Sequence, residues 1–274
     1  MEFTNLFSEI GFRFSTRFQR GTPADYFRDG SAHEALVAER RRWLSEEPGA
    51  CAALLPEGGP LLDETLELAR EWRGAPFEEE IGSDDFTPLD RCLGLGRMWE
   101  PDFLLLKPDE NGMPTLLGAC VCFPSSWAVE EKMGKSIEFI HDVVPGLNEA
   151  IGDKIRNFLQ RMRPGVAWLR ANWGLSRSPE LNQHPRRGLP RLDANATLDE
   201  IWLRVERQAL VALPKAGGVL FGIRIETCAL SELQRDSSAA AGLVRDLETM
   251  PVEMADYKNI TAVRSRVVEL LTRV

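Results

Sequence analysis

The chain of 274 residues holds only three histidines, and these, five cysteines and a few arginines at strand-like spacing are where its chemistry must lie. His33 lies in the first turn of a helical segment, and His184 sits in the polar run Asn182-Gln-His-Pro-Arg186. Both are settings in which an imidazole is simply solvated. His141 differs, because it ends the strand-like run Ile137–Ile140 just before Asp142-Val-Val-Pro-Gly146 turns the chain into a long helix. A histidine at such a turn is placed either to pack or to project its ring into a pocket held by rigid neighbours. In Ile201–Gln208, the residues Ile201, Leu203 and Val205 share one face by the period of two, and Arg207 falls on that same apolar face. A guanidinium there needs an anion, since burying it unpaired costs on the order of several kcal/mol. The anion is either an internal carboxylate or the carboxylate or phosphate of a ligand, which Arg grips with two parallel bonds. Trp168, Arg170 and Asn172 likewise share a face, an arrangement that fits a ligand pocket or a sheet edge under a loop.

The remaining motifs exclude more than they assign. No HExxH, GxSxG or GxxxxGK[ST] occurs, and Gly94-Leu-Gly96 lacks the third glycine of a dinucleotide fingerprint. Cys120 and Cys122 point to one face of a strand. Without a second cysteine pair at metal spacing they read as buried structural thiols.

The elements that must position these groups follow from the hydrophobic periodicity. To about Arg73 the chain reads as mostly helical, with a capping box of Ser31 and Glu34 opening a helix from His33 to Trp43, and a second helix over Asp63–Trp72 with Leu66 and Ala69 inward. From Glu78 to Asp90 it is acidic and broken, the mark of a surface loop. Phe103–Leu106 and Thr115–Phe123 form a hairpin about Asp109-Glu-Asn-Gly112. Asn148–Met162 carries one apolar stripe, Ile151, Ile155, Phe158, Leu159 and Met162, and is the best helix, with Asn148 as its cap. Val166–Trp173 reads as a strand and 177–200 as a long loop. Ile201–Leu213 and Val219–Cys228 pair around Pro214–Gly218, and Leu230–Leu247 and Thr261–Leu271 return to helix. Helices flanking at least five hairpin-joined strands predict an α+β fold with a mainly antiparallel sheet. No linker interrupts it, so a single domain over 1–274 is expected.

Composition bounds the function classes. With 43% hydrophobic and 27% charged residues the chain can bury a core. Its 33 basic against 42 acidic residues leave a net charge of −9, which speaks against a broad nucleic-acid face. The start has no signal-peptide pattern, and no apolar run nears the roughly 20 residues of a membrane span. Five cysteines without a dense framework fit a reducing compartment, so a cytoplasmic protein is expected.

Five blocks then stand out in order: Cys122-Phe-Pro-Ser-Ser-Trp-Ala-Val-Glu-Glu-Lys-Met-Gly-Lys135; Ile140-His-Asp-Val-Val-Pro-Gly146; Arg170-Ala-Asn-Trp173; Arg204-Val-Glu-Arg-Gln-Ala-Leu-Val-Ala-Leu-Pro214; and Leu220-Phe-Gly-Ile-Arg224, followed by Tyr257-Lys258. Together they resemble the haem-dependent oxidative N-demethylase family. The similarity spans roughly residues 90 to 258.

The resemblance implies a PAS-like fold holding haem b, with electrons from NADPH through a separate flavin/iron–sulfur reductase subunit. It implies a small alkylamine as substrate, demethylated with O₂ to release formaldehyde to a tetrahydrofolate-dependent subunit. The family's His-x-Pro-Val-Pro-Gly motif places the haem-iron ligand at His141, with Val143 standing where the motif has its first proline. A neutral imidazole is a good axial ligand and leaves the sixth position open. Asp142 or a backbone carbonyl would orient its ring. Haem propionates need cations, for which Arg170, Arg207 and Arg224 are candidates, with Lys132 and Lys135 behind them. Asn172 and Trp173 complete the cofactor-binding set, and Trp127 and Trp168 are further candidates to line the macrocycle. Glu206 and Glu226 are carboxylates that could attract an amine. A PAS-like protein that binds haem or another ligand as a sensor or carrier, without turnover, is the competing expectation, since fold does not fix function. A third is an interaction protein that has lost haem.

Overall fold

A computed structural model describes residues 2–3, 6–14, 18–73 and 86–273. The first hairpin forms as its turn residues dictate. β3 (Asp102–Pro108) and β4 (Pro114–Cys120) meet at Gly112, whose φ of 75° suits glycine. The Asp109 carboxylate there accepts from the amides of Asn111 and Met113. The second hairpin joins β6 (Trp202–Leu213) to β7 (Gly218–Ala229) in unbroken register from Trp202–Ala229 to Leu213–Gly218. β5 (Ala167–Ser176) pairs antiparallel along β6. Two short strands missed by periodicity, β1 (Gln19–Gly21) and β2 (Ala52–Leu54), cover part of each outer strand. Every pairing is antiparallel, in the order β1-β5-β6-β7-β3-β4-β2. The α+β expectation holds.

Helices cover the sheet. α1 (Pro23–Phe27) and α2 (His33–Glu46) precede the one-turn α3 (Pro48–Cys51), and α4 is Gly59–Arg73. Leu66 and Ala69 of α4 are fully buried, as their spacing required. α2 begins at His33 after Ala32, with no side-chain cap, so the Ser31–Glu34 box does not form. The box forms instead at α5 (Pro88–Met98), where Thr87 and Asp90 cap reciprocally. Asp90, the end of the expected acidic loop, is thus a helix-capping residue. The rest of that loop lies mostly outside the described residues.

Between β4 and β5 the chain makes a helical excursion. Ile137–His141 is α6, not a strand end: the Ser136 hydroxyl accepts from the Phe139 amide and starts a turn of helix. The expected long helix is a π-turn over Asn148–Gly152 followed by α7 (Asp153–Gln160). Asn148 does not cap it, because its amide donates to the Glu138 carbonyl and ties the excursion to α6. After β7 come α8 (Leu230–Leu233), α9 (Ser237–Thr249), α10 (Val252–Tyr257) and α11 (Arg264–Thr272). The helix expected over Leu230–Leu247 breaks because Asp236 caps α9 by accepting from Ala239 N.

Two apolar cores result. One gathers α2, α4 and α5 with Phe103 and Leu105 of β3, and the other packs α8, α9 and α11 against Leu203, Val205 and Cys228. Both lie largely on one side of the sheet. The other side is roofed by α6 and α7.

Candidate functional site

The antiparallel register sorts the predicted site residues onto two faces. Directly paired residues share a face. Arg170 pairs with Gln208, and Asn172 with Glu206, which continues to Ile225 on β7. All five therefore line the face under α6 and α7. Arg207 pairs with Arg224, and Trp173 with Val205 beside Glu226, on the opposite face. One cavity of about 2380 Å³ has walls from both faces of β5. That exceeds the roughly 300–1,000 Å³ of ordinary ligand sites.

On the roofed face α6 brings His141 over the sheet. Its ring lines the cavity and makes no hydrogen bond among the described residues. Burial, aided by the Arg170 charge, pushes its pKa down to about 4, so the imidazole is neutral at pH 7 with a lone pair to give. Apolar side chains of the same excursion, among them Ile140, Val144, Ile151 and Ile155, line the cavity around it. Lys132 and Trp127 also line it.

Arg170 points into this space with no ion pair or hydrogen bond among the described residues. Burial lowers its proton affinity, against the pull of Glu206. Lys258 follows α10 and reaches the edge of β5, donating to the Trp173 carbonyl at 2.6 Å and lying 5.2 Å from the Trp173 ring. Burial pushes its pKa down to about 8, Glu206 opposing and Arg170 adding. Arg204, buried on the same face, donates to Ser125 Oγ and to the carbonyls of Phe123 and Leu181 at 2.7–2.8 Å. Against these cations β5, β6 and β7 offer one carboxylate on this face, Glu206. Arg204 and Lys258 are held by backbone carbonyls, which leaves Arg170, among the described residues, as the cation of this group without a bonded partner beside the uncharged imidazole.

The opposite face, which lines the same cavity, pairs its own charges. Arg207 pairs with Glu226 at 3.4 Å, the internal carboxylate its apolar face required, and donates to the Glu2 carbonyl. Arg224 contacts Glu100 and the carbonyls of Tyr26 and Arg28, with its guanidinium 5.5 Å from the Tyr26 ring. The structure thus separates Arg207 and Arg224 from His141 and gives both their own partners. The Trp173 ring meets Phe7 at 5.7 Å. Trp168 shares the His141 face, packed against Phe158 with Arg20 over its ring.

The other candidates resolve simply. His184 is buried and accepts from Arg186 N on Nδ1, with Glu130 3.4 Å from Nε2. His33 lies 3.1 Å from Glu100 and 3.2 Å from Asp29, a grouping with metal-ligand spacing that periodicity gave no sign of. Glu100 there already takes the Gly30 amide and Arg224. Lys135 sits over the Phe139 ring, and Asp142 is exposed at the end of α6. The cysteines are free and buried, as expected. Among the described residues no helix is long and apolar enough to cross a membrane.

Sequence spacing placed Arg170 and Asn172 together. It left Gln208 and Lys258 without a role, although Gln208 is one period of two from Glu206 and Lys258 belongs to the last matching block.

A neutral histidine on the helical roof and an arginine beside it, neither side chain bonded among the described residues, now stand beside an independent likeness. A protein-family model described as "Haem-dependent oxidative N-demethylase, alpha subunit-like" matches residues 71–268. That stretch holds the sheet from β3 to β7, the excursion with His141 and the Tyr257-Lys258 pair. It covers well over half of the chain, and the chain belongs to the haem-dependent oxidative N-demethylase, alpha subunit-like family.

Proposed function

We propose that the compartment between α6–α7 and the sheet holds haem b on His141, and that the protein is the oxygen-using subunit of an N-demethylase acting on a small alkylamine. The observation that carries this reading is His141 beside Arg170: a neutral imidazole and a guanidinium that, among the described residues, have no hydrogen bond and no counter-ion respectively, both lining a cavity with ample room for a macrocycle. The five-strand antiparallel core, with its helical excursion between second and third strands, supports the PAS-like reading of the fold.

His141 Nε2 or Nδ1 would bind the iron, Arg170 and Lys132 would take the propionates, and the apolar roof would exclude water from the ring faces. When bound, haem supplies O₂ activation for oxidation of an N-methyl group. The protein's own part is to hold a neutral imidazole, keep the site dry and bring the methyl group close. Asn172 belongs to the polar lining rather than the iron's ligands. Arg207 and Arg224 brace the opposite face.

Oxidation of this kind needs electrons. The resemblance supports NADPH as their source through a flavin/iron–sulfur subunit, and a tetrahydrofolate-dependent subunit to take up formaldehyde. A cytoplasmic setting is consistent with such partners.

The test is an absorption spectrum of haem-reconstituted protein, oxidised, dithionite-reduced and with CO. A Soret band that moves on reduction and again with CO is expected for wild type. His141→Ala should lose that band or its CO response while its circular dichroism stays native. An unchanged spectrum in the variant overturns the ligand assignment, and a colourless wild type overturns the haem reading.

A further inference from the structure

We infer that Glu206 recognises the substrate and binds it as the ammonium cation, with Tyr257 as the aromatic wall of the same subsite. This rests on the reading of the compartment as an N-demethylase site. Glu206 is the one carboxylate that β5, β6 and β7 place on the His141 face. Arg170, Arg204 and Lys258 all lie within its electrostatic reach. Yet among the described residues Glu206 forms no ion pair. An acid placed only to neutralise its surroundings would contact one of those cations. Its bonds are instead to neutral amides: Gln208 Nε2 donates at 2.9 Å and Asn172 Nδ2 at 3.3 Å, both to Oε2. Two amides from adjoining positions on one face thus fix the carboxylate while leaving its charge unspent, with Oε1 outside the pair.

The walls suit a methylated ammonium rather than a bare inorganic cation. Ile225 stands directly across β7 from Glu206. The Tyr257 side chain lines the cavity, is 43% exposed and lies within reach of the Glu206 charge. Carboxylate, aromatic face and apolar wall together match a small alkylammonium, whose methyl groups carry part of its charge. Glu226 is not an equivalent choice, since it is on the opposite face and spent on Arg207. The nearby cations have other holds: Arg204 on backbone carbonyls, Lys258 on the Trp173 carbonyl, and Arg170 on the propionates in the proposed complex.

The experiment is calorimetric titration of dimethylammonium into wild type, Glu206→Gln and Glu206→Asp, each with and without added haem, with dimethyl ether as the uncharged analogue. Wild type should bind the ammonium and not the ether, and Glu206→Gln should weaken ammonium binding by about tenfold to a hundredfold. Glu206→Asp keeps the charge and should fall between, which covers the case of a Gln variant that does not fold. Equal binding by wild type and a folded Glu206→Gln, binding of ether as well as ammonium, or no binding of ammonium by wild type in either state overturns the inference. The Soret band of the same samples separates the two readings. Haem uptake with amine binding indifferent to Glu206 sinks this inference alone. Glu206-dependent amine binding without haem uptake sinks the haem reading alone.

Discussion

Lys258 shows how a single buried charge is tied to the site. Burial takes its pKa from 10.5 down to about 8. Between these values the unfolded chain holds a proton that the folded protein lacks. Stability must then rise with pH from about 8 to 10.5 and carry a constant penalty below 8. The penalty is at most about 3–4 kcal/mol, and less because the side chain keeps some contact with solvent. Lys258→Met removes it. The difference in unfolding free energy between variant and wild type, from urea titrations, should move by that order across the window. A difference that is flat with pH contradicts the assignment. At the same scale, the identities of His141 and Arg170 were readable as candidates, because imidazole and guanidinium are rare in such surroundings. That Arg207 meets a carboxylate while Arg170 meets none among the described residues was not readable. The two have the same alternation pattern, and only the register decides which meets a carboxylate.

At the scale of elements, local signals succeeded where the chain writes its own boundary. The Asn-Gly turn of the first hairpin and the glycine-rich turn of the second both formed. They failed where two local signals compete. Ile137–Ile140 is rich in β-formers, but the Ser136 cap and packing over the sheet make it helix. Ser31–Glu34 has the letters of a capping box, while the working box is Thr87–Asp90 on α5. Thr87→Ala should therefore cost about 1 kcal/mol in unfolding free energy, and Ser31→Ala close to nothing. Comparable losses in both, measured by chemical denaturation, would contradict the cap assignment. α5 also packs tightly on the sheet. A Cβ on Gly96 would sit 2.2 Å from the Cys120 sulfur. Gly96→Ala should cost on the order of 1–3 kcal/mol despite its better helix propensity. A stabilised variant would show that α5 can lift from β4.

At the scale of the whole molecule, one buried ion pair joins the helical layer to the sheet. Arg40 of α2 is 0% exposed and Asp102 of β3 is 1% exposed. Arg40 contacts the Asp102 carboxylate and donates to the Gly96 carbonyl at 2.8 Å, while Asp102 also accepts from the amides of Cys122 and Phe123. The pair thus ties α2, α5, β3 and the chain leaving β4, which continues toward Trp127 and the roof of the site. Arg40→Met alone should cost about 3–5 kcal/mol, because it strands a buried carboxylate. Arg40→Met with Asp102→Leu should recover part of that loss. A double variant no more stable than the single one would mean that Asp102 acts mainly through its two backbone amides.

Legible from the residues alone were the class of the fold, the central strands and their turns, the apolar stripes of the helices and the short set of residues with chemistry to offer. Those are properties of neighbours in the chain, set by side-chain period and by backbone limits at glycine and proline. The sequence also carried the family likeness, because the matching blocks are strings of residues. Which candidates meet is a property of the folded chain. Strand register put Arg170, Asn172, Glu206 and Gln208 on one face and Arg207, Arg224 and Trp173 on the other. The fold brought the α6 excursion over the first group, and the chain after α10 to the β5 edge. Register and layer packing depend on contacts between residues dozens of positions apart, and no local period encodes them.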